Sequence, residues 1–179
     1  MAEPLADALV VVDAQAVFAD PTSPWGSPMD PRARPRLLER MTAYGDRVVA
    51  TRYVAPQQPT GAWAPYFAQF PWALVPPDDP LYALLPDVAQ VYGDRATVDL
   101  TTFGKWGPEL EVALAPHGPR SVEVVGYATD CCVVSTVLAM ADAGLEVRVR
   151  ADACGGSSPE NHATALALMS LYAPLVRIQ

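Results

Sequence analysis

Residues 124–144 read VVGYATDCCVVSTVLAMADAG, and the hydrophobic pattern changes within this stretch. An apolar, β-branched run ends near Ala128, and a segment with helical periodicity, rich in small residues, follows it at once. A strand that leads directly into a helix is typical of the βαβ crossover, in which parallel strands are joined by helices. The stretch therefore indicates a parallel sheet.

Five other apolar runs share these properties, being short, β-branched and separated by segments long enough for a helix. The alternation predicts an α/β fold, a three-layer, doubly wound, Rossmann-like arrangement with a mainly parallel sheet of about six strands and helices on both faces. We expect residues 1–179 to form one domain. The expected strands are 8–13, 47–54, 95–100, 121–128, 145–152 and 174–179, and the clearest helical patterns are 31–45, 108–118, 130–144 and 158–173.

Charge and composition exclude several classes of function. The net charge of -8 argues against a nucleic-acid partner, because no basic stripe is present to replace phosphate counterions. No run reaches about 18 apolar residues and no basic n-region precedes the first one, so we expect neither a membrane span nor secretion but a cytoplasmic protein. Three cysteines, two of them adjacent, are expected to be free thiols.

The adjacent Cys131 and Cys132 follow Thr129 and Asp130, either of which is suited to cap a helix. Both thiols would then lie in the first helical turn, where the helix dipole lowers a cysteine pKa. Successive helical residues point about 100° apart, so we expect one thiol to face a cleft and the other to pack. Two small hydrophobes in a buried helix are the simpler interpretation.

Two further candidates follow from the rule that open parallel sheets bind ligands beyond the carboxyl ends of their strands. Asp13 directly follows the first apolar run, although an aspartate that caps a turn is the simpler interpretation. Lys105 is the only lysine beside eleven arginines and provides a compact ammonium that can act as a point charge. The proline-rich and aromatic stretch 54–94 is either a pocket wall or a satellite core.

The segment GYATDCCV at 126–133 and the segment DAQAVF at 13–18, together with a lysine in mid-chain, resemble the isochorismatase-like cysteine hydrolases. This superfamily contains the nicotinamidases and the N-carbamoylsarcosine amidases. The resemblance extends over nearly the whole chain, including ADAC at 151–154 and ENHATALALM at 160–169. It implies hydrolysis of a small amide through a thioester, without a cofactor.

The resemblance also implies roles for individual residues. Cys132 would be the nucleophile, Asp13 the general base and Lys105 the stabiliser of charge. A cis peptide between Tyr127 and Ala128 would direct the Ala128 N–H, with that of Cys132, at an oxyanion. The residues expected to contact the substrate, a small, flat or moderately apolar amide, are Gln15, Phe18, Arg52, Trp63 and Tyr127, with Arg52 as an anchor for a carboxylate.

Two departures from the family pattern concern the lysine and a metal. In one alignment the lysine position falls near Asp99, so either Lys105 reaches the cleft from a loop of different length or the usual lysine is missing; we favour Lys105. The nicotinamidase metal site needs an aspartate and histidines after the second strand, where this sequence has no histidine. His117 and His162 lack the spacing of metal ligands, so we predict no metal and a surface or structural role for each.

Three alternatives remain beside the amidase. The first is a vinyl-ether hydrolase of the isochorismatase type, which does not need Cys132. The second is a non-catalytic, flavodoxin-like binding module with packed cysteines. The third is a vicinal-dithiol redox sensor that uses Cys131 and Cys132, an interpretation that requires their sulfurs to lie close together. The resemblance also makes a homodimer or larger homo-oligomer an expectation, because relatives often assemble through sheet edges or loops.

Overall fold

In the computed structural model, which describes residues 4–179, six strands form one sheet in the order β3-β2-β1-β4-β5-β6. Every neighbouring pair is parallel. The predicted three-layer, doubly wound α/β fold is confirmed, whereas the expectation of one domain stays a prediction. The strands are β1 (Ala8–Val12), β2 (Val48–Tyr53), β3 (Val98–Leu100), β4 (Ser121–Tyr127), β5 (Glu146–Gly155) and β6 (Val176–Ile178).

Helices connect the strands, and all four helical patterns found in the sequence are present. Proline stands in the first turn of four helices, where its missing N–H costs no hydrogen bond. No helix in residues 4–179 has both the length and the apolar character needed to cross a membrane. The helices are α1 (Ala16–Ala19), α2 (Asp30–Tyr44), α3 (Trp63–Gln69), α4 (Pro86–Tyr92), α5 (Pro108–Leu114), α6 (Val134–Asp142) and α7 (Pro159–Ser170).

The sheet is covered on both faces, which explains the continuous apolar runs. All five residues of β1 are buried. Leu9 and Val11 face the core on the α2 side, while Val10 and Val12 face the core formed with α5, α6 and α7. Alternate residues of a strand point to opposite faces, so a central strand covered on both sides is apolar at every position.

The strand order reverses at the central pair β1 and β4, where ligand sites of such sheets form. Gly126 near the end of β4 has a φ of 125°, and a Cβ there would lie 2.0 Å from the carbonyl oxygen of Val12. Only glycine therefore permits this approach of β4 to β1. The next residue after β1, Asp13, has a φ of 46°.

The stretch 54–94 contains α3, α4 and two short 3-10 turns rather than an unstructured loop. Its aromatic side chains pack into the same core as Phe18 on the α2 side of the sheet, together with Trp25. The satellite-core interpretation is therefore only partly right, because this packing continues the main core. One ring of the stretch, that of Tyr66, also lines a cavity.

A buried ion pair joins α2 to β4. Glu123, with a side chain only 2% exposed, accepts from Arg40 through both carboxylate oxygens, at 2.5 and 2.8 Å. The Tyr44 hydroxyl also donates to Glu123, at 3.1 Å. These hydrogen bonds satisfy a charge that would otherwise be costly inside the sheet.

Candidate active site

Three side chains from separate parts of the chain meet at the carboxyl end of the sheet. Asp13 follows β1, Lys105 lies in the loop between β3 and α5, and Cys132 lies in the turn after β4. The Nζ of Lys105 is 3.1 Å from Oδ2 of Asp13, and neither side chain is exposed to solvent. The structure thus brings together the three residues that the sequence selects.

Thr51 on β2 holds the carboxylate of Asp13. Its hydroxyl donates to Oδ1 at 2.7 Å and accepts from the Asp13 N–H at 3.2 Å. Oδ2 is close to Lys105 but lacks a directed hydrogen bond within residues 4–179. Burial raises the pKa of Asp13, while the charge of Lys105 and the hydrogen bond from Thr51 oppose the rise.

Lys105 is fixed by contacts at both ends. Its Nζ donates to the carbonyl of Thr102 at 2.6 Å and lies 5.1 Å from the centre of the Tyr53 ring, within range of a cation–π interaction. Its backbone N–H donates at 3.0 Å to the hydroxyl of Thr136 on α6, which in turn donates to the Cys132 carbonyl at 2.7 Å. Thr136 therefore links the lysine loop to the cysteine turn.

The alternative lysine position near Asp99 is not part of this cluster. Asp99 lies on β3 and accepts from Nε of Arg52 at 3.0 Å. Of the two possibilities left open by the sequence, the geometry favours Lys105, which reaches Asp13 from a loop.

The cysteines lie in a π-helical turn, Thr129–Val133, that precedes α6. The N–H of Val133 donates to the carbonyl of Ala128, five residues earlier, at 3.0 Å. In this wider turn both Cys131 and Cys132 line the same cavity, so the expectation that only one of them faces the cleft is wrong. All three cysteines are free thiols, as expected.

Neither proposed capping residue caps this turn. The hydroxyl of Thr129 is hydrogen-bonded to Nδ1 of His162 at 2.8 Å, and Asp130 accepts from the N–H and hydroxyl of Ser157. These side chains instead tie the cysteine turn to α7 and to the segment that follows β5. The expected cap is wrong because both side chains find partners across the fold.

The two thiols influence each other's ionisation. The pKa of Cys131 is lowered because the Cys132 thiol donates a hydrogen bond to its sulfur. The pKa of Cys132 is raised by this same bond and by burial, and Asp13 raises it further while Lys105 opposes. The lowered pKa expected at the start of the helix therefore applies to Cys131 and not to Cys132.

The cavity beside these residues has a volume of about 300 Å³, enough for a small molecule. Five of its twelve lining residues are aromatic, and no lysine, arginine or histidine lines this cavity in the described chain. Its lining residues are Phe18, Pro24, Trp25, Gly26, Tyr53, Tyr66, Phe103, Ala128, Asp130, Cys131, Cys132 and Ser157.

Of the residues expected to contact substrate, only Phe18 lines the cavity. Gln15 is buried, donates to the carbonyls of Tyr53 and Tyr82 at 2.9 and 2.7 Å, and accepts from the Tyr53 N–H at 2.8 Å. Its role is to hold the end of β2. Trp63 lies behind the wall, with its ring centre 5.1 Å from that of Phe103.

Arg52 and Tyr127 also lie away from the cavity. Neighbouring strand residues point to opposite faces, so the Tyr53 side chain reaches the cavity while Arg52 turns toward Asp99. Tyr127 is fully buried and its hydroxyl donates to Asp30 at 2.8 Å. The peptide between Tyr127 and Ala128 is cis, as the family resemblance implies.

Sequence reasoning missed several wall residues. Tyr53 and Arg52 both stand at the end of β2, where ligand sites are expected. The arginine was chosen from the sequence because it is charged. Trp25 and Ser157 carry no such signal. They lie in two loops that are joined by a hydrogen bond from the Ser27 hydroxyl to the Gly156 carbonyl, at 2.6 Å. Phe103 lies in the lysine loop.

A family model described as "Isochorismatase domain" matches residues 7–179. The chain belongs to the isochorismatase family. Similar folds occur in a cysteine hydrolase from Pseudomonas syringae pv. phaseolicola, with a TM-score of 0.78 and 18% identity over 99% of this chain and 93% of that one. The family and its structural neighbours indicate a hydrolase.

Two other neighbours carry names that specify amides. Nicotinamidase PncA from Bacillus subtilis has a TM-score of 0.75 and 19% identity over 96% of this chain and 97% of that chain. Pyrazinamidase from Pyrococcus horikoshii, solved in complex with zinc, has a TM-score of 0.70 and 23% identity over the same shares. At these identities the likeness shows the fold of this isochorismatase-family chain.

The zinc of that pyrazinamidase has no matching set of donors here. Residues 54–60, which follow β2, contain neither histidine nor aspartate. Within residues 4–179 no three His, Cys, Asp or Glu side chains form a group that could hold a metal ion. His162 is hydrogen-bonded to Thr129, and His117 lies in a 3-10 turn. These residues do not fit a resident zinc ion.

Proposed function

We propose that this chain is a cysteine-dependent hydrolase that cleaves the C–N bond of a small carboxamide or carbamoyl compound through a thioester. The observation that carries the proposal is the convergence of Asp13, Lys105 and Cys132 beside an aromatic cavity. A nucleophile, a base that it contacts and a cation that stabilises that base form the arrangement expected for covalent catalysis.

The first step is transfer of the Cys132 proton to Asp13. A raised pKa makes the carboxylate a stronger base near neutral pH, and Asp13 and Cys132 are near enough to shift each other's pKa. The sulfur then forms a bond to the amide carbon, while the carbonyl π bond moves its electron pair to oxygen. Lys105 remains beside Asp13 and stabilises whichever anion is present during the transfer.

The tetrahedral oxyanion needs preorganised donors. The backbone N–H groups of Ala128 and Cys132 belong to two residues that line the cavity, and we assign them this role. Loss of one such donor typically costs on the order of 10²-fold or more in rate.

Collapse of the intermediate breaks the C–N bond. Asp13 returns its proton to the nitrogen, so that ammonia or an amine leaves and the acyl group remains on Cys132. A water molecule, deprotonated by Asp13, then attacks the thioester; the C–S bond breaks, the carboxylic acid is released, and Asp13 returns the proton to the sulfur of Cys132. The sum is amide plus water giving acid plus amine, with no redox change.

The cysteine substitutions test the proposal. Cys132→Ala is expected to abolish release of ammonia from a panel of carboxamides and carbamoyl compounds, whereas Cys131→Ala retains at least about a tenth of the activity. Cys154→Ala is the matched control, because Cys154 lies outside the cavity and contacts the Val124 carbonyl on β4. Ammonia release that survives Cys132→Ala would contradict the cysteine-dependent mechanism, whereas hydrolysis of a vinyl ether such as isochorismate by Cys132→Ala would favour the vinyl-ether chemistry.

Because the two thiols interact with each other, a vicinal-dithiol redox sensor is the second candidate function. That function predicts equal effects of Cys131→Ala and Cys132→Ala on a response to hydroperoxide, and no amide turnover in the wild-type protein. The cytoplasmic location and a homodimer or larger oligomer stay predictions.

A further inference from the structure

The hydroxyl of Tyr127 is bonded inside the fold and not at the cavity. It donates to Oδ1 of Asp30, the first residue of α2, at 2.8 Å. Tyr127 is fully buried and Asp30 is 4% exposed. Burial and the neighbouring carboxylate raise the pKa of the hydroxyl, so it keeps its proton and remains a donor at neutral pH. The bond is an enclosed contact between the end of β4 and the start of α2.

Asp30 is itself held by Arg34, one turn further along α2. Nε of Arg34 donates to Oδ1 of Asp30 at 3.0 Å, and Nη2 donates to Oδ2. Such a two-point bond fixes the plane of the carboxylate as well as its position. Nη1 of Arg34 also lies 3.8 Å from the carboxylate of Asp87 on α4. The acceptor of the tyrosine hydroxyl is therefore fixed within the helix layer.

The ring of Tyr127 has little room to move. Gly155 on β5 pairs with Tyr127 across the sheet, and a Cβ at Gly155 would lie 2.6 Å from ring atom Cε1. The same Cβ would lie 2.8 Å from the hydroxyl oxygen of Ser27. The ring thus packs directly on the backbone of β5, at a place where only glycine leaves space for it. With its ring packed and its hydroxyl bonded, the side chain fixes the backbone of residue 127.

The next residue along the chain, Ala128, lines the cavity. The peptide between Tyr127 and Ala128 carries the Ala128 N–H. On the other side of this residue, the Ala128 carbonyl accepts from the N–H groups of Cys131 and Val133, each at 3.0 Å. The cysteine turn therefore holds Ala128 from one side, and the anchored tyrosine holds its peptide from the other. An oxyanion donor acts best when its orientation is fixed before the reaction.

We propose that Tyr127 is a positioning residue, whose hydrogen bond to Asp30 fixes the peptide that presents the Ala128 N–H to the oxyanion. This role rests on the proposed amidase function, in which that N–H is one of two donors. Tyr127 acts through Ala128 and does not touch the substrate. Because the negative charge on oxygen develops only in the transition state, loss of the anchor should slow the chemical step and leave substrate binding unaffected.

Tyr127→Phe tests this inference, because it removes the hydroxyl and keeps the buried ring. Ammonia release is measured against the concentration of whichever carboxamide of the panel the wild-type protein hydrolyses fastest. We expect kcat to fall about tenfold while KM stays within about twofold, since a misplaced donor costs part of the 10²-fold typical of its loss. A change in KM alone would contradict the inference.

Tyr44→Phe is the matched control, because it also removes a buried tyrosine hydroxyl that donates to a buried carboxylate, that of Glu123, outside the cavity. Its kcat should equal that of the wild-type protein. Asp30→Ala should reproduce the fall seen in Tyr127→Phe, and the double variant should show no further fall, because both changes remove the same bond. Asp30→Asn keeps an acceptor oxygen for the tyrosine and should retain at least about half of the wild-type kcat.

Three results overturn the inference and leave the amidase intact: an unchanged kcat in Tyr127→Phe, an equal fall in Tyr44→Phe, or additive falls in the double variant. A wild-type protein that hydrolyses no compound of the panel contradicts the proposed function, and the inference with it. Melting curves show whether each variant is folded at the assay temperature. The comparison of Asp30→Ala with Asp30→Asn decides the inference where Tyr127→Phe is unfolded.

Discussion

The ammonium of Lys105 lies 3.1 Å from the carboxylate of Asp13 where neither side chain is exposed to solvent. Such a pair balances its own charge, so the loss of either member leaves the other charge buried without compensation. Removing two charges from water costs free energy that their attraction need not recover, so the pair is weak evidence for stability. We infer that it is kept for its role beside the cavity.

Lys105→Met should lower the free energy of unfolding by about 3 kcal/mol at neutral pH, because the Asp13 carboxylate is then buried without its cation. It should also abolish amide hydrolysis. The double variant Asp13→Asn, Lys105→Met removes both charges and should regain part of the stability but none of the activity. Urea unfolding and ammonia release measure the two effects, and an additive loss of stability in the double variant would contradict the coupling.

The pH dependence of hydrolysis should reflect the raised pKa of Asp13. The base works only as a carboxylate, so kcat/KM should fall as the pH drops through a value above the ordinary 3.8. Thr51→Val removes a hydrogen bond that lowers this pKa and should move the acidic limb upward. An acidic limb at or below pH 3.8 in the wild-type profile would contradict the prediction, because it would mean that the pKa of Asp13 is not raised.

The same shift predicts how stability changes with pH. A carboxyl whose pKa is raised on folding binds its proton more tightly in the folded state, so its contribution is complete below pH 3.8 and is lost as the pH rises through the folded value. The Asp13→Asn variant has no ionisable group at this position. Wild-type minus variant stability should therefore decline over this window in urea titrations at successive pH values.

Iodoacetamide should label Cys131 before Cys132 in the free protein. Cys131 has the lowered pKa and is partly exposed, whereas Cys132 is 2% exposed. Cys154 should stay unlabelled, because burial raises its pKa to about 12. Peptide mass spectrometry after short reaction times gives the order.

Cys132→Ala provides the critical comparison for this labelling, because it removes the donor that lowers the pKa of Cys131. The rate at Cys131 should fall in this variant and remain unchanged in Cys154→Ala. Faster labelling of Cys132 than of Cys131 in the wild-type protein would contradict this order and show that the Cys132 thiol is ionised in the free protein.

Arg40→Ala should separate stability from catalysis. It leaves the Glu123 carboxylate buried with only the Tyr44 hydroxyl, and we expect a loss of about 3 kcal/mol in the free energy of unfolding. The pair lies outside the cavity, so kcat/KM below the melting transition should not change. A tenfold fall in kcat/KM in the folded variant would mean that the pair also positions the site.

The fold could be predicted from the sequence because each strand of a sheet covered on both faces reads as an apolar run. The ends of the strands were harder to predict, because they depend on pairing with the neighbouring strands. β5 continues to Gly155, beyond the predicted end at 152, because a shift of register after Val124 lets it pair with the end of β4. β3 begins only at Val98, where its pairing with β2 starts.

The candidate site was predictable where a residue type and a strand end coincide, as at Asp13. It was not predictable where the outcome depends on which face a side chain takes, as for Arg52 and Tyr53. The π-helical turn was not predicted from the letters TDCCV, and its Thr129 and Asp130 side chains make contacts with α7 and with Ser157. Those contacts join segments that are distant along the chain.

The Thr136 hydroxyl makes two hydrogen bonds, one to the lysine loop and one to the cysteine turn. These bonds explain why the position of the lysine is not found by counting residues along the sequence. Lys105 is positioned by the Thr136 hydroxyl on α6, the helix that follows Cys132, and not by its distance along the chain from β3. Insertions or deletions before residue 102 can then lengthen or shorten the connection while the ammonium stays in place. The Thr136 hydroxyl that faces the loop is therefore a better reference for the position of the lysine than the number of residues that separates it from β3.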